Sequence, residues 1–189
     1  MKIITKILFS CVMMQSVAGL SAAYIPKDDA EVLEQLPVAT GERRRLRELR
    51  FQANQNPGDY QLALSLARDY IGLGRSNSDP RYYGYAEALL TPWLEAQNAQ
   101  PDALVLRATI LQNRHDFEAA LIDLKNALQL NPRLPPAWLT LAAVYEAQGD
   151  YPSALRSCMA LARFSASLTA TTCINSALSL SGQAQSSYE

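Results

Sequence analysis

The sequence predicts an all-α protein, built as a solenoid of about three helix–turn–helix repeat units with a helical cap at each end. The main observation is an internal repeat of 34 residues: residues 101–134 lie over residues 135–168 without a gap and bring Ala108 onto Ala142. Prolines fall between the apolar stretches or in their first turns, where a missing N–H costs little. The 189 residues, 49% of them hydrophobic, suit one packed domain and not two large ones.

The composition of the chain limits the functions that it can have. It has 17 Lys and Arg against 18 Asp and Glu, a net charge of −1, and as a whole it offers no basic stripe. Nucleic-acid binding is therefore not expected. One histidine and three cysteines leave few ligands for a transition metal and few groups for histidine-dependent catalysis, so no metal site and no cofactor are expected.

Residues 1–23 are predicted to be a secretory signal peptide. Lys2 and Lys6 precede a short apolar stretch, and the small residues Ser21 and Ala23 stand at the −3 and −1 positions of a cleavage site after Ala23. A leader of this form favours a bacterial periplasmic protein, with full secretion as the alternative. Its removal changes the net charge to −3, because 15 basic and 18 acidic residues remain.

Two other interpretations of the leader stay open. An uncleaved membrane anchor would have to span the bilayer with an apolar stretch that Gln15 and Gly19 interrupt and that falls short of the roughly 20 residues a spanning helix needs. Lipidation at Cys11 would use a loose lipoprotein box, but it would place Lys6 inside a very short signal. No stable membrane span is expected in the mature chain.

Cleavage of the leader would remove Cys11 and leave one pair of cysteines, Cys158 and Cys173. In an oxidising compartment an even pair favours a disulfide over a reactive thiol. The alternative is two buried free thiols that pack as small apolar side chains.

Residues 24–58 are an N-terminal extension in which two helices are predicted, a short one at 30–36 and an arginine-rich one at 42–55. The arginines would contact anionic lipid headgroups or an acidic partner in one interpretation. In the other they are the solvated face of a capping helix whose apolar side chains pack on the first repeat unit. The arginines are Arg43, Arg44, Arg45, Arg47 and Arg50, and the apolar residues are Leu46, Leu49 and Ala53.

Residues 59–100 are predicted to be a divergent repeat unit with an insertion. Ala67 and Ala86 occupy its two small-residue positions and stand 19 residues apart, whereas the next unit separates the same positions by 12. Seven additional residues are therefore expected in the turn, within residues 75–81.

Tyr82 and Tyr85 directly follow this insertion. Tyrosine-rich loops make good contact surfaces, because tyrosine offers a large area at a low entropy cost. We hypothesise that the loop extends the binding surface of the protein. The alternative is that both rings pack on the lengthened turn.

The clearest repeat unit is residues 135–168. Trp138 begins the pattern W-x-x-L-A-x-x-Y, which ends at Tyr145, and Gly149 and Asp150 form the turn that follows. These residues at this spacing resemble the tetratricopeptide repeat. The resemblance implies a right-handed α-solenoid, in which small residues let paired helices approach closely and bulky residues fill the space between successive pairs.

The resemblance covers about residues 59–180. The repeat unit at 101–134 keeps the small residues of the family but has Leu104 and Leu111 where tryptophan and tyrosine are usual. Residues 169–189 are predicted to hold a closing helix and a polar tail.

The resemblance also implies a concave groove lined by the first helix of each repeat unit. The family's groove-facing positions hold a mixed, mildly apolar set of side chains here, which suits a protein or peptide partner. They are Gln61, Leu64, Arg68 and Ile71 in the first unit, Asp102, Val105, Thr109, Gln112 and Asn113 in the second, and Leu139, Ala143 and Glu146 in the third.

Some members of the family bind the C-terminal carboxylate of a peptide through lysine, asparagine and arginine side chains. The matching positions here hold Leu64, Arg68, Leu106, Pro136 and Thr140, of which only Arg68 could contribute. A carboxylate clamp of this kind is therefore not expected.

The sequence thus predicts an exported, non-catalytic scaffold that binds a protein or peptide partner in its groove. The alternatives are a structural accessory subunit of a cell-envelope complex and, with less support, a cell-wall-acting enzyme. His115 falls where the repeat places its turn glycine. The carboxylates of Asp116, Glu118 and Asp123 are expected to face solvent, where their pKa values would stay unsuited to catalysis.

Overall fold

The chain divides into two compact parts, Met1–Val38 and Ala39–Glu189. The computed structural model describes residues 27–28, 31, 41–94, 99–165, 168–183 and 185, and only the backbone of residues 42 and 43. In the first part, the backbone N–H of Lys27 donates to Oε2 of Glu31 at 2.7 Å. The predicted signal peptide, and the predicted short helix at 30–36 apart from Glu31, lie outside the described residues.

All regular secondary structure in the described residues is helical, which confirms the predicted all-α class. They contain eight α-helices and one 3-10 turn, Thr91–Trp93. The α-helices are α1 (Gly41–Gln55), α2 (Tyr60–Ser76), α3 (Arg81–Leu90), α4 (Pro101–Asn113), α5 (Phe117–Leu130), α6 (Pro135–Ala147), α7 (Tyr151–Ala162) and α8 (Leu168–Leu180).

The helices stack as the predicted solenoid. Helix α2 pairs with α3, α4 with α5 and α6 with α7, and each first helix also touches the next: α2 touches α4, α4 touches α6, and α6 touches α8. Neighbouring second helices are barely in contact. A stack with closely spaced first helices and spread second helices curves toward the first helices, so α2, α4, α6 and α8 line the concave face.

Small residues sit where the paired helices cross, and large aromatic side chains pack around them. Six alanines at these crossings are at most 2% exposed: Ala67, Ala86, Ala108, Ala120, Ala142 and Ala154. The ring of Trp93 lies 5.1 Å from the ring of Tyr60, beside the core of the first hairpin. Nε1 of Trp138 donates to the backbone oxygen of Pro132 at 2.9 Å, beside the core formed by α4, α5 and α6.

Helices α5 and α7 each begin after a left-handed turn residue and an aspartate cap. At the start of α7, Oδ1 of Asp150 accepts from the backbone N–H of Ser153 at 3.1 Å, and the Ser153 hydroxyl donates to the other carboxylate oxygen. These bonds lower the pKa of the Asp150 carboxyl below its ordinary value. Gly149 in this turn has φ 77°, whereas His115 at the matching place has φ 61°, a backbone conformation that favours glycine.

The seven additional residues of the first repeat unit are not gathered in the turn, and this prediction is wrong. Helix α2 has 17 residues where α4 has 13, and the turn of residues 77–80 is only one residue longer than its counterpart before α5. The remaining two of the seven additional residues lengthen the start of α3. The extra turn of α2 is stable because Gly74 on it is buried against Tyr83 of α3.

Gly74→Ala is expected to destabilise the protein by about 1–3 kcal/mol, because a Cβ at residue 74 would lie 2.8 Å from Cε1 of Tyr83. The ring is held in place, since Oη of Tyr83 donates to Oδ1 of Asn113 at 3.2 Å. Gly72→Ala is the matched control. Gly72 is exposed on the same helix, and a Cβ built there has no atom within 4 Å. Alanine at this position should therefore stabilise the protein by up to about 1 kcal/mol. Urea unfolding followed by circular dichroism checks both variants, and equal midpoints would contradict the packing argument.

Tyr82 and Tyr85 therefore lie on helix α3 and not on a loop. Their rings lie 6.0 and 5.6 Å from the ring of Tyr70, which is buried on α2, and Cζ of Arg50 on α1 lies 5.4 Å from the same ring centre. Burial raises the pKa of Tyr70 above its ordinary value. The cluster joins α1, α2 and α3, so both rings pack on the lengthened first hairpin. Tyr85 is still 47% exposed, and its contact with a partner stays a prediction.

Helix α1 covers the N-terminal end of the stack. Leu46, Leu49 and Ala53 pack against the core of α2 and α3, while the side chain of Arg45 reaches Asp69 at 3.3 Å. This is the contact pattern of a capping helix.

The sequence predicts a solvent-facing carboxylate at Asp123, and the structure shows that this is wrong. The Asp123 side chain on α5 is only 4% exposed. Nε and Nη2 of Arg107 on α4 each donate to one of its oxygens at 2.6 Å. The hydrogen bonds to Asp123 raise the pKa of Arg107. Asp123 is buried because it lies on the face of α5 that packs against α4.

The C-terminal end of the stack is closed by α8. A disulfide joins Cys158 of α7 to Cys173 of α8, with their Cα atoms 5.5 Å apart. Helix α8 also packs on α6, so its position is fixed on two sides. Among the described residues, no helix combines the length and the apolar character that crossing a membrane requires.

Candidate functional site

The concave face gathers most of the predicted groove residues on one surface. Nine of the twelve keep accessible side-chain atoms: Gln61, Arg68, Asp102, Thr109, Gln112, Asn113, Leu139, Ala143 and Glu146. The other three, Leu64, Ile71 and Val105, are 1–4% exposed and lie in the hydrophobic core. They support the groove from below and offer no surface to a partner.

Charged side chains occupy the N-terminal end of the groove. Nη2 of Arg68 lies 3.9 Å from Oδ1 of Asp102, which pairs the two charges across neighbouring repeat units. A cavity of about 260 Å³ adjoins Arg68 between α1 and α2, and the Arg45–Asp69 ion pair lies on its wall. The guanidinium of Arg68 therefore already has an acidic neighbour.

The middle of the groove is polar. Asn113 is fixed there, because its Oδ1 accepts from Tyr83 and its Nδ2 donates to the backbone oxygen of Thr109 at 2.7 Å. The side-chain amide of Gln112 makes no hydrogen bond within the described part of the chain, so it is available to a peptide backbone. A cavity of about 370 Å³ is lined by Arg75, Gln112, Asn113, His115, Phe117 and Ala147.

An apolar pocket of about 430 Å³ lies at the C-terminal end of the groove, between α6 and α8. We call it the C-terminal pocket. Helix α6 contributes Leu139, Ala142, Ala143 and Glu146, and helix α8 contributes Leu168, Thr169, Thr172, Cys173 and Ser176.

The α8 wall of this pocket is absent from the predicted groove residues. Thr169, Thr172, Cys173 and Ser176 are spaced to lie on one face of a helix, which is a signal present in the sequence. Residue 169 also follows residue 135 by one repeat of 34 residues. Helix α8 thus takes the place of the first helix of a further repeat unit and extends the groove.

The groove surface offers hydrogen-bonding and apolar side chains. Its accessible side chains are amides, hydroxyls, short apolar groups and a few charges. In the described residues, no three His, Cys, Asp or Glu side chains lie close enough together to hold a metal ion. His115 is exposed in the turn before α5, with its ring 5.6 Å from the ring of Phe117.

The sequence itself matches a known repeat. A family model described as tetratricopeptide repeat matches residues 111–164, which run from the end of α4 to the turn after α7. No curated protein has a sequence that matches this chain.

Solved structures share the fold. A thermophilic TPR protein of Thermus thermophilus superimposes with a TM-score of 0.64 at 19% identity, over 78% of this chain and 79% of that chain. Two crystal structures of MamA give TM-scores of 0.55 and 0.57 at 18% and 16% identity; they cover 76% and 80% of this chain and 75% and 91% of their own. Residues 111–164 match the tetratricopeptide repeat in their sequence, and the helices around them share the fold of these solved structures.

Proposed function

We propose that this protein is an exported scaffold that binds a protein or peptide segment in its concave groove and catalyses no reaction. The observation that carries the proposal is the continuous concave face of α2, α4, α6 and α8. Helix α6 contributes to both its middle cavity and its C-terminal pocket, since Ala147 lines the first and Glu146 the second. A segment bound along this face would contact side-chain amides in the middle of the groove and apolar walls at its C-terminal end. This combination suits peptide recognition.

Export is part of the proposal. The predicted leader at residues 1–23 supports it, and so does the disulfide between Cys158 and Cys173, because such bonds persist in oxidising compartments and are rare in the cytoplasm. The form of the leader favours the periplasm, with full secretion as the alternative.

A second candidate function is a structural accessory subunit of a cell-envelope complex. It is favoured by large apolar side chains on the second helices, away from the groove: Ile122 and Leu130 on α5 are 60% and 56% exposed, and Met159 on α7 is 56% exposed. A neighbouring subunit that covered these side chains would remove apolar surface from water. In such a subunit the side of the second helices would rest permanently on a neighbour.

Site-specific photocrosslinking in the host cell separates the two candidates. A photoreactive amino acid at Gln112 probes the groove, and one at Glu118, exposed on α5, is the matched control. We expect one discrete partner, identified by mass spectrometry, to be captured from residue 112 and not from residue 118. Equal capture of one large neighbour from both positions would favour the accessory subunit, and no capture from either would contradict both binding functions.

A further inference from the structure

The C-terminal pocket is large enough and apolar enough to take a large apolar side chain. Its volume of about 430 Å³ lies in the range of ligand-binding pockets, roughly 300–1,000 Å³. Leu139 and the small side chains of Ala142 and Ala143 form one wall. Leu168 on the opposite rim is 84% exposed, so covering it would remove a large apolar surface from water.

One carboxylate in this pocket lacks a partner. Oε1 of Glu146 is buried and accepts no hydrogen bond within the described part of the chain, and Glu146 takes part in none of the ion pairs found there. Helix α8, which forms the facing wall, carries no charged residue. A buried carboxylate oxygen without a donor is costly, and a cationic donor satisfies it with a short, strong hydrogen bond.

The pocket is held open before any partner arrives. The disulfide from Cys173 to Cys158 fixes the α8 wall to α7, and α8 also packs on α6. A preformed site does not spend binding free energy on ordering its walls. The positions of the two helical walls of this pocket are therefore set by the fold.

We propose that the C-terminal pocket selects the partner of the groove, by accepting a segment in which a large apolar side chain lies beside a lysine or arginine. The apolar side chain fills the space between Leu139 and Leu168, and the cation pairs with Glu146. This inference rests on the proposed function of the groove and adds the chemistry of the bound segment.

A random dodecapeptide library displayed on phage tests the proposal with the disulfide-bonded full chain as bait. Glu146→Gln removes the charge at constant shape, and Glu118→Gln on α5 makes the same change away from the groove. We expect the wild type and Glu118→Gln to select peptides with Lys or Arg near Leu, Ile, Met or Phe. A synthetic copy of the most enriched peptide should bind the Glu146→Gln variant about tenfold more weakly than it binds the wild type or the Glu118→Gln variant, because a charged hydrogen bond is lost.

Ala143→Leu gives a second, independent readout, since it fills the apolar part of the pocket and leaves Glu146 in place. Circular dichroism of each variant checks that it folds. Weaker binding to both pocket variants supports the proposal. Peptides of the same composition and affinity with wild type and Glu146→Gln would overturn it while leaving groove binding intact.

Two further outcomes also count against the proposal. No peptide selected by any bait would contradict the proposed groove function together with this inference. Self-association of the full chain that Glu146→Gln abolishes, measured by analytical ultracentrifugation without peptide, would assign the pocket to a second copy of the chain and overturn it as well.

Discussion

Replacement of Arg107 with methionine is expected to lower the free energy of unfolding by about 3 kcal/mol, because it strands the buried carboxylate of Asp123. The carboxylate is 4% exposed and takes two hydrogen bonds from Arg107, both 2.6 Å long. Methionine keeps most of the apolar stem, so the loss reports the charge pair and not a cavity. Urea unfolding at neutral pH, followed by circular dichroism, measures the change.

The matched control is Asp123→Leu in the Arg107→Met background. With both charges gone, the contact between α4 and α5 becomes apolar, and the double variant should recover most of the lost stability. Asp123→Asn alone should cost less than Arg107→Met, since the Arg107 side chain is 32% exposed and can turn to water. A double variant as unstable as Arg107→Met would contradict the charge-pair explanation.

Loss of the disulfide has an expected effect of similar size. The bond closes a loop with a sequence separation of 15, for which the chain-entropy estimate is about 3 kcal/mol. We expect Cys158→Ala combined with Cys173→Ala to lower the free energy of unfolding by roughly that amount. Helix α8 should lose stability first, because the disulfide joins it to α7.

Hydrogen exchange measured by mass spectrometry locates the effect. Peptides from α8 should exchange faster in the double variant, while peptides from α4 and α5 should not change. The wild-type chain under reducing conditions is the control and should behave like the double variant. Unchanged exchange in α8 would contradict a role for the bond in fixing it. Alkylation of the chain isolated from its host shows whether Cys158 and Cys173 are oxidised there, as expected in an oxidising compartment.

The repeat explains how much of the fold was predictable from the sequence. A small residue is needed wherever two helices cross closely, so alanines recur at 34-residue intervals and disclose the pairing of α4 with α5 and of α6 with α7. The groove can be predicted from the same repeat, because the register of the repeat determines which side of each first helix faces its neighbours. Even so, Leu64, Ile71 and Val105 are covered by adjoining helices, and periodicity within one helix does not reveal that burial.

The features that the sequence did not disclose depend on contacts between different helices. Arg107 and Asp123 are 16 residues apart and meet only once α4 and α5 have paired. The extra turn of α2 is stabilised by Tyr83, on another helix. The α8 wall of the C-terminal pocket becomes visible only when α8 is treated as the first helix of a further repeat unit.

The positions of the two tryptophans have a spectroscopic consequence. Trp93 lies beside the core of the first hairpin, and Trp138 lies beside the core of α4, α5 and α6. In a linear stack each repeat is stabilised mainly by its neighbours, so the ends can fray before the centre. Indole emission therefore reports on both halves of the array at once, and single-tryptophan variants would reveal whether the chain melts as one cooperative body or opens from its N-terminal end.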